Sequence, residues 1–243
     1  MLGEKKLSST DDDSSTKEMK KFSNKISKRL TARHKKCFKF VGSVKDKRIL
    51  DIGCSFGWFE AWALKNKCKE MVGIEPKREL LVEAKNQVPE GKYRVGSALK
   101  IPFKDNSFDI VVVFDVLEHL PKGTEISALK EIERVLKSKG KLYLSTPLSN
   151  ILSNLLDLAW YFGHRHYSGK QIKRILSMTN LKIKKYEYRG GVISIFSMIL
   201  FYPFKWLVKR EIPFKDWFER KKSEEYLKNK KGFSWQIICA VKD

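Results

Sequence analysis

The sequence predicts a doubly wound α/β domain built on one mostly parallel, seven-stranded sheet. Three observations predict it. From residue 47 onward short apolar runs alternate with amphipathic stretches. One run, FDIVVVFD at 108–115, is nearly all apolar, as a central strand covered on both faces must be. And the first run passes through a glycine-containing turn straight into a helix, LDIGCSFGWF at 50–59.

The elements follow in order. RILDIG (48–53) is a short apolar strand ending on a glycine, and WFEAWALKN (58–66) reads as the helix behind it. EMVGIE (70–75) is a second strand, KRELLVEAKNQV (77–88) a second helix and KYRVGS (92–97) a third strand. After the apolar run at 108–115, TEISALKEIERVLK (124–137) places Ile126, Leu129, Ile132 and Leu136 on one helical face. Gly140 is expected to stop that helix before a strand at 141–146. The C-terminal third adds a helix at 168–179 with Ser168 as N-cap, a strand at 182–189 and a final strand at 233–242.

Decorations surround this core. Residues 1–16 are polar and read as a disordered tail. Residues 17–44 read as a basic helix whose apolar positions, Phe22, Ile26, Leu30, Cys37, Phe38 and Val41, recur at helical spacing. Such a stripe packs on a core or lies on an anionic surface. The domain proper spans 45–243, with an insertion at 190–232. The insertion joins an apolar run (192–208) to a charged stretch. That run is broken by Pro203 and carries Lys205, which disfavours a spanning helix and suits a lid or an interfacial element.

The 243 residues carry a formal charge of +22. Residues 45–147 hold 19 Lys and Arg against 15 Asp and Glu, so most of the excess lies in the flanks. It points to an anionic partner: a membrane surface, or less favourably a nucleic acid. The four cysteines show no C-x-x-C pairing and no spacing that suggests a zinc cluster or a disulfide framework, which fits reduced thiols. No signal peptide is visible; the expected place is the cytoplasm, peripheral to a membrane.

The chemistry concentrates at 50–59. Where a strand turns into a helix past Gly53 and Gly57, a bulky cofactor can lie against bare backbone, and the first peptide N–H groups of the helix can hold a carboxylate. The next strand ends in Glu75, whose carboxylate can accept hydrogen bonds from both hydroxyls of a ribose. A nicotinamide dinucleotide site would need G-x-G-x-x-G, and the string here is G-C-S-F-G-W.

ILDIGCSFGWF, VGIEP, VGSALKIPFKDNSFDIVVVFDVLEHLP and LKEIERVLKSKGKLYLSTP together resemble, in order, the motifs of class I S-adenosylmethionine (SAM)-dependent methyltransferases, of the ubiquinone-biosynthesis branch. The resemblance covers about residues 45–180. It implies SAM as cofactor. It places Asp51, Gly53, Cys54, Ser55, Gly57 and Trp58 around the methionine portion, with Glu75 and Pro76 at the ribose. Ser97, Ala98 and Leu99 would border the adenine. Phe114, Asp115 and Val116 would face the methionine end and the open side of the pocket. Ser55 stands where the family often has glycine, and Ser97 where it often has aspartate.

Methyl transfer from a sulfonium needs alignment and, for an oxygen acceptor, a base. The candidates are His119 in DVLEHLP, and His164, His166 and Tyr167 in YFGHRHYS. His119 reads as a base or substrate contact, as a metal ligand with Asp115 and Glu118 (the string is similar to one that serves in small-RNA 2′-O-methyltransferases), or as a local structural hydrogen bond; no second histidine lies beside it in the sequence, so no metal is assigned. Two hydrophobic lid-like stretches, 148–162 and 192–208, suggest an apolar or lipid-linked acceptor such as a quinone precursor or a lipid-linked sugar. The rival readings are an RNA methyltransferase that uses the basic flanks and a non-catalytic regulatory or scaffold protein of the same fold. The sequence says nothing of oligomeric state.

Overall fold

The computed structural model describes residues 26–27, 29–157, 160, 163–194, 196, 215–228 and 232–243. The expected tail at 1–16, the start of the basic helix and most of the insertion's apolar run lie outside the described residues. In chain order the elements are α1 (Ala32–Val41), β1 (Arg48–Ile52), α2 (Trp58–Lys65), β2 (Glu70–Glu75), α3 (Arg78–Gln87), β3 (Lys92–Val95) and β4 (Phe108–Phe114). A single 3-10 turn (Leu117–His119) leads to α4 (Glu125–Val135) and β5 (Leu136–Pro147). Then come α5 (Ile151–Leu156), α6 (Gly169–Leu176), β6 (Leu181–Arg189), α7 (Lys215–Leu227) and β7 (Trp235–Lys242).

The seven strands form one sheet in the order β3-β2-β1-β4-β5-β7-β6. β1 to β5 pair in parallel; β7 runs antiparallel to both β5 and β6. The order reverses direction between β1 and β4, so the crevice at the carboxyl ends of β1 and β4 is where an open sheet of this kind binds ligands. Apolar side chains build a core on each face. Leu50, Val72, Val111, Val113 and Leu142 pack against α4 and α6 on one face; Ile49, Met71, Ile110, Val112 and Tyr143 pack against α1 and α2 on the other.

Two boundaries differ from the sequence reading. Gly140 does not end the helix of 124–137. The helix stops at Val135, and Leu136 already opens β5, paired with Phe108 across a bulge. Leu136 is fully buried in the core as a strand residue. The basic segment 17–44 is not one helix either. Thr31 is extended (φ −86°, ψ 171°) and its N–H donates to His34 Nδ1 at 3.0 Å, which starts α1 afresh at Ala32. The apolar stripe of α1 is a packing face: Cys37, Phe40 and Val41 are buried, and Phe38 stacks on Trp62 at 4.8 Å.

Candidate active site

The turn after β1 is built for close approach. Gly53 (φ +80°) and Gly57 (φ +83°) adopt left-handed backbone that side chains resist. A Cβ on Gly53 would lie 2.5 Å from Val116 Cγ2, so the glycine lets the turn after β4 close against the turn after β1. Gly53 and Cys54 both donate their N–H to Ile74 O, at 2.8 and 3.3 Å, which locks the turn to β2. Gly57 is the N-cap of α2 and supplies no side chain to the helix's first N–H groups. Those groups are left for an incoming carboxylate. Ser55 holds φ +49° in the same turn, which explains why glycine suits that position.

Three carboxylates are buried behind this turn. Asp51 is the penultimate residue of β1, Glu75 ends β2, and Glu60 reaches in from α2; their exposures are 2%, 7% and 0%. Burial, with Glu75 next, pushes the Asp51 carboxyl up to about 8. Burial, with Asp51 next, holds the Glu60 carboxyl well above the usual carboxylate range. Neither oxygen of Glu60 has a hydrogen-bond partner among the described residues. Sequence reasoning missed Glu60; the one signal was an acid inside the apolar string WFEAW. Glu75 Oε1 accepts a 3.4 Å bond from Lys77 N–H, and Pro76 beside it is exposed at the rim.

The turn after β4 faces this group. Asp115 (φ +54°) accepts from Ser145 Oγ at 2.9 Å and from Trp235 Nε1 at 2.8 Å, which fixes its carboxylate at the sheet's carboxyl edge. Phe114 packs edge-on to Phe59, and tilted against Trp58 at 5.7 Å. Beyond β3, Ser97 Oγ accepts the Leu99 N–H at 3.1 Å and Ala98 is buried. The expected cofactor residues are thus gathered along the carboxyl ends of β1, β2, β3 and β4. α1 adds residues that sequence reasoning did not assign to the site. Arg33 pairs with Asp115, His34 lies 4.3 Å from Trp58 ring to ring, and Arg29 sits over Phe56 at 3.9 Å and pairs with Glu83. Burial and then Arg33 depress the His34 imidazole to about 4, so it stacks as a neutral ring.

The four residues proposed for catalysis are close in space but unequally available. His119 Nε2 and His164 Nε2 lie 3.2 Å apart, although 45 positions separate them. Burial lowers both imidazoles from the ordinary histidine range, and the neighbouring His119 lowers His164 further. His166 is occupied on both sides, by Asn154 Oδ1 and Asp157 Oδ2, each at 2.9 Å. Tyr167 donates to Leu117 O and to Glu125 Oε1, both at 3.1 Å, and tethers the segment to the 3-10 turn. Arg165 reinforces it through Glu125 and the carbonyls of Leu117 and Leu120. His119 and His164 therefore meet each other past the end of β4, while His166 and Tyr167 hold the loop that carries His164.

A strand-to-helix turn bounded by glycines, an acid at the end of the second strand, and a sheet whose order reverses between β1 and β4 and that carries an antiparallel β7 are the features of a nucleoside-cofactor site of the methyltransferase type. Residues 50–144 match the family described as Methyltransferase domain, and this stretch is a class I, SAM-dependent methyltransferase domain. An uncharacterised methyltransferase of Schizosaccharomyces pombe is 36% identical over 121 residues, 45% of this chain and 42% of its own length. A demethylmenaquinone methyltransferase of Thermotoga maritima is 30% identical over 112 residues, 45% of this chain and 48% of its own. The chain thus spans under half the length of these relatives. A solved SAM-dependent methyltransferase from Mesorhizobium loti shares the fold with a TM-score of 0.61 at 14% identity, over 87% of this chain and 98% of that one. The residues present fit SAM: with Gly57 as N-cap, no side chain caps the first N–H groups of α2, which suits a carboxylate, and Asp51 and Glu75 supply acceptors for its ammonium and hydroxyl groups.

Proposed function

We propose that the chain transfers a methyl group from SAM to an apolar or lipid-linked small-molecule acceptor presented at a membrane surface. The observation that carries the acceptor class is where apolar side chains meet solvent. Of the nine large hydrophobics exposed among the described residues, six are Ile151, Leu155, Trp160, Val192, Phe196 and Trp217. Five of them lie within the two expected lid stretches, and Trp217 lies in α7. Hydrogen bonds gather these segments at one end of the sheet: Asn150 and Ser153 on Phe233 O, Phe233 N–H on Gly190 O, and Glu225 on the N–H groups of Ile193 and Ser194. An apolar rim beside an open cofactor site suits an acceptor with a hydrocarbon tail. A relative named for acting on demethylmenaquinone supports the same class. No described helix is long and apolar enough to cross a membrane, so contact would be from the surface.

In this reading Asp51 and Glu75 hold the cofactor, Phe114, Asp115 and Val116 line the methyl end, and His119 or His164 takes the proton from an acceptor hydroxyl. Flotation with anionic liposomes at low salt, followed by label transfer from methyl-tritiated SAM into extracted lipid, tests it. Flotation with label in the organic phase is expected. An unbound protein that labels RNA, with affinity falling steeply as salt rises, would replace the lipid acceptor by a nucleic acid.

A further inference from the structure

We propose that Asp51 and Glu60 bind the cofactor's ammonium group as a pair and release a proton to solvent as they do so. This role needs SAM as the cofactor and is independent of the proposed acceptor. The strands bring the acids together. Asp51 stands opposite Gly73 in the parallel register of β1 and β2, and Glu75 lies two residues further along β2. Residues two apart on a strand share a face, here the one on which Ile49 and Met71 meet α2. A Cβ at Gly73 would lie 2.6 Å from Glu60 Oε1 and 2.9 Å from Cys54 Cβ. The carboxylate of Glu60 thus fills the space that a side chain at 73 would take. Bare backbone at Gly73 is what lets an acid from α2 come down beside Asp51.

Glu60 is the group that points to a ligand. An acid in the first turn of a helix ordinarily gains from the helix dipole while facing water. Glu60 is turned inward instead: it is fully buried, and neither oxygen has a hydrogen-bond partner among the described residues. The other titratable groups facing the pair are Glu75 on β2, Cys54 in the turn, Tyr93 on β3 and Cys37 on α1. None is a cation, and no Lys or Arg among the described residues pairs with Asp51 or Glu60. Tyr93 donates its hydroxyl to Val88 O and so does not serve Glu60.

Carboxylates gathered in a buried site without a cation cannot all ionise, so protons take the cation's place. Burial and then Glu75 raise Asp51 to about 8; burial and then Asp51 hold Glu60 well above the usual range. The two titrate as a unit, and at neutral pH the unliganded pair is protonated. An ammonium beside the pair favours the ionised carboxylate. One carboxyl O–H bond then breaks, its electron pair stays on the oxygen, and the proton passes to the buffer. One positive charge enters and one leaves, so the buried site keeps its net charge. The unliganded pair holds its proton more tightly than the occupied one. Affinity therefore rises with pH up to the Asp51 value of about 8.

The test is calorimetric titration of the full-length protein with S-adenosylhomocysteine, which carries the same ammonium group. Titrations at neutral pH in buffers of different ionisation enthalpy count the protons released. Release of about one proton is expected, and affinity should rise about tenfold from about pH 6 to about pH 7.5. Adenosine, which lacks the ammonium, should release none. Glu60→Gln should move the rise in affinity to lower pH, because Asp51 then titrates without a neighbouring carboxyl. The double variant Asp51→Asn, Glu60→Gln should bind more weakly and release almost no proton, with a melting curve to show that it is folded. No release by the unaltered chain, equal release with adenosine, or an unmoved profile in Glu60→Gln overturns the pairing. Release that survives in the double variant also overturns it, since the proton would then come from the ligand's own ammonium. Failure of S-adenosylhomocysteine to bind would remove the cofactor reading as well, whereas binding without proton release removes this proposal alone.

Discussion

Arg33 Nη1 lies 3.2 Å from Asp115 Oδ2, so a helix that precedes the sheet in sequence is tied to the end of its central strand. The pair and the His34 contact on Trp58 lay α1 beside the cofactor turn, and Arg29 just before it sits over Phe56. An apolar stripe surrounded by Lys and Arg reads equally as a surface-binding helix; here Arg33 points at Asp115 of the site and Lys36 pairs with Glu187 on β6.

Replacing Arg33 by Met should loosen α1 without unfolding the sheet. Both partners are partly exposed, 43% and 31% by side chain, so the pair contributes at most about 1 kcal/mol. Hydrogen exchange of the amides at 32–41 should therefore accelerate by up to about fivefold, while those of β1 and β4 stay protected. Unchanged exchange in α1 would show that the aromatic contacts alone hold it.

Glu75→Ala should weaken S-adenosylhomocysteine binding by about 10- to 100-fold, the loss of about 1.5–3 kcal/mol expected for hydrogen bonds to a charged group. The unliganded protein should not lose stability, because the change also removes one of three crowded buried acids. Calorimetry gives the first quantity and thermal melting the second. Full affinity in the variant would place the ribose elsewhere.

Ser55→Gly should stabilise the chain slightly. A left-handed serine costs about 1–2 kcal/mol, and a new glycine returns about 0.4–1 kcal/mol of unfolded-state entropy. A net gain near 1 kcal/mol corresponds to a melting rise of about 2–4 °C for a chain of this size. A lower melting temperature would mean that the serine side chain makes contacts the glycine cannot replace.

The sheet was readable because each strand announces itself locally: EMVGIE and FDIVVVFD are apolar runs between polar breaks, and β2 and β4 match them nearly residue for residue. The cofactor turn was readable for the same reason, since Gly53, Gly57 and Glu75 lie within about one strand–helix–strand unit. What escaped is what the chain assembles from afar. His119 had no neighbouring histidine in sequence, and His164 reaches it only because Tyr167 and Arg165 fasten the later loop to the 3-10 turn. The end of α4 was misplaced because Leu136 fits the helical stripe and the β5 pairing alike, and the long-range pairing with Phe108 wins.

Glu60 gives the most direct pH prediction. Its carboxyl is held well above the usual range by burial, and Asp51 is raised to about 8. An acid whose folded value is raised binds its proton more tightly in the folded state. Its stabilising effect is complete below the unfolded value, about 4, and is lost as pH rises through the folded value. The unliganded protein should therefore melt progressively lower from about pH 5 to pH 9. Glu60→Gln removes one ionisable member of the pair and the coulombic push on Asp51. It should flatten that decline and melt higher than the unaltered chain at pH 9, with the difference vanishing near pH 4. Parallel melting curves across that range, with no divergence between the two proteins, would mean that Glu60 meets a partner when folded and stays charged.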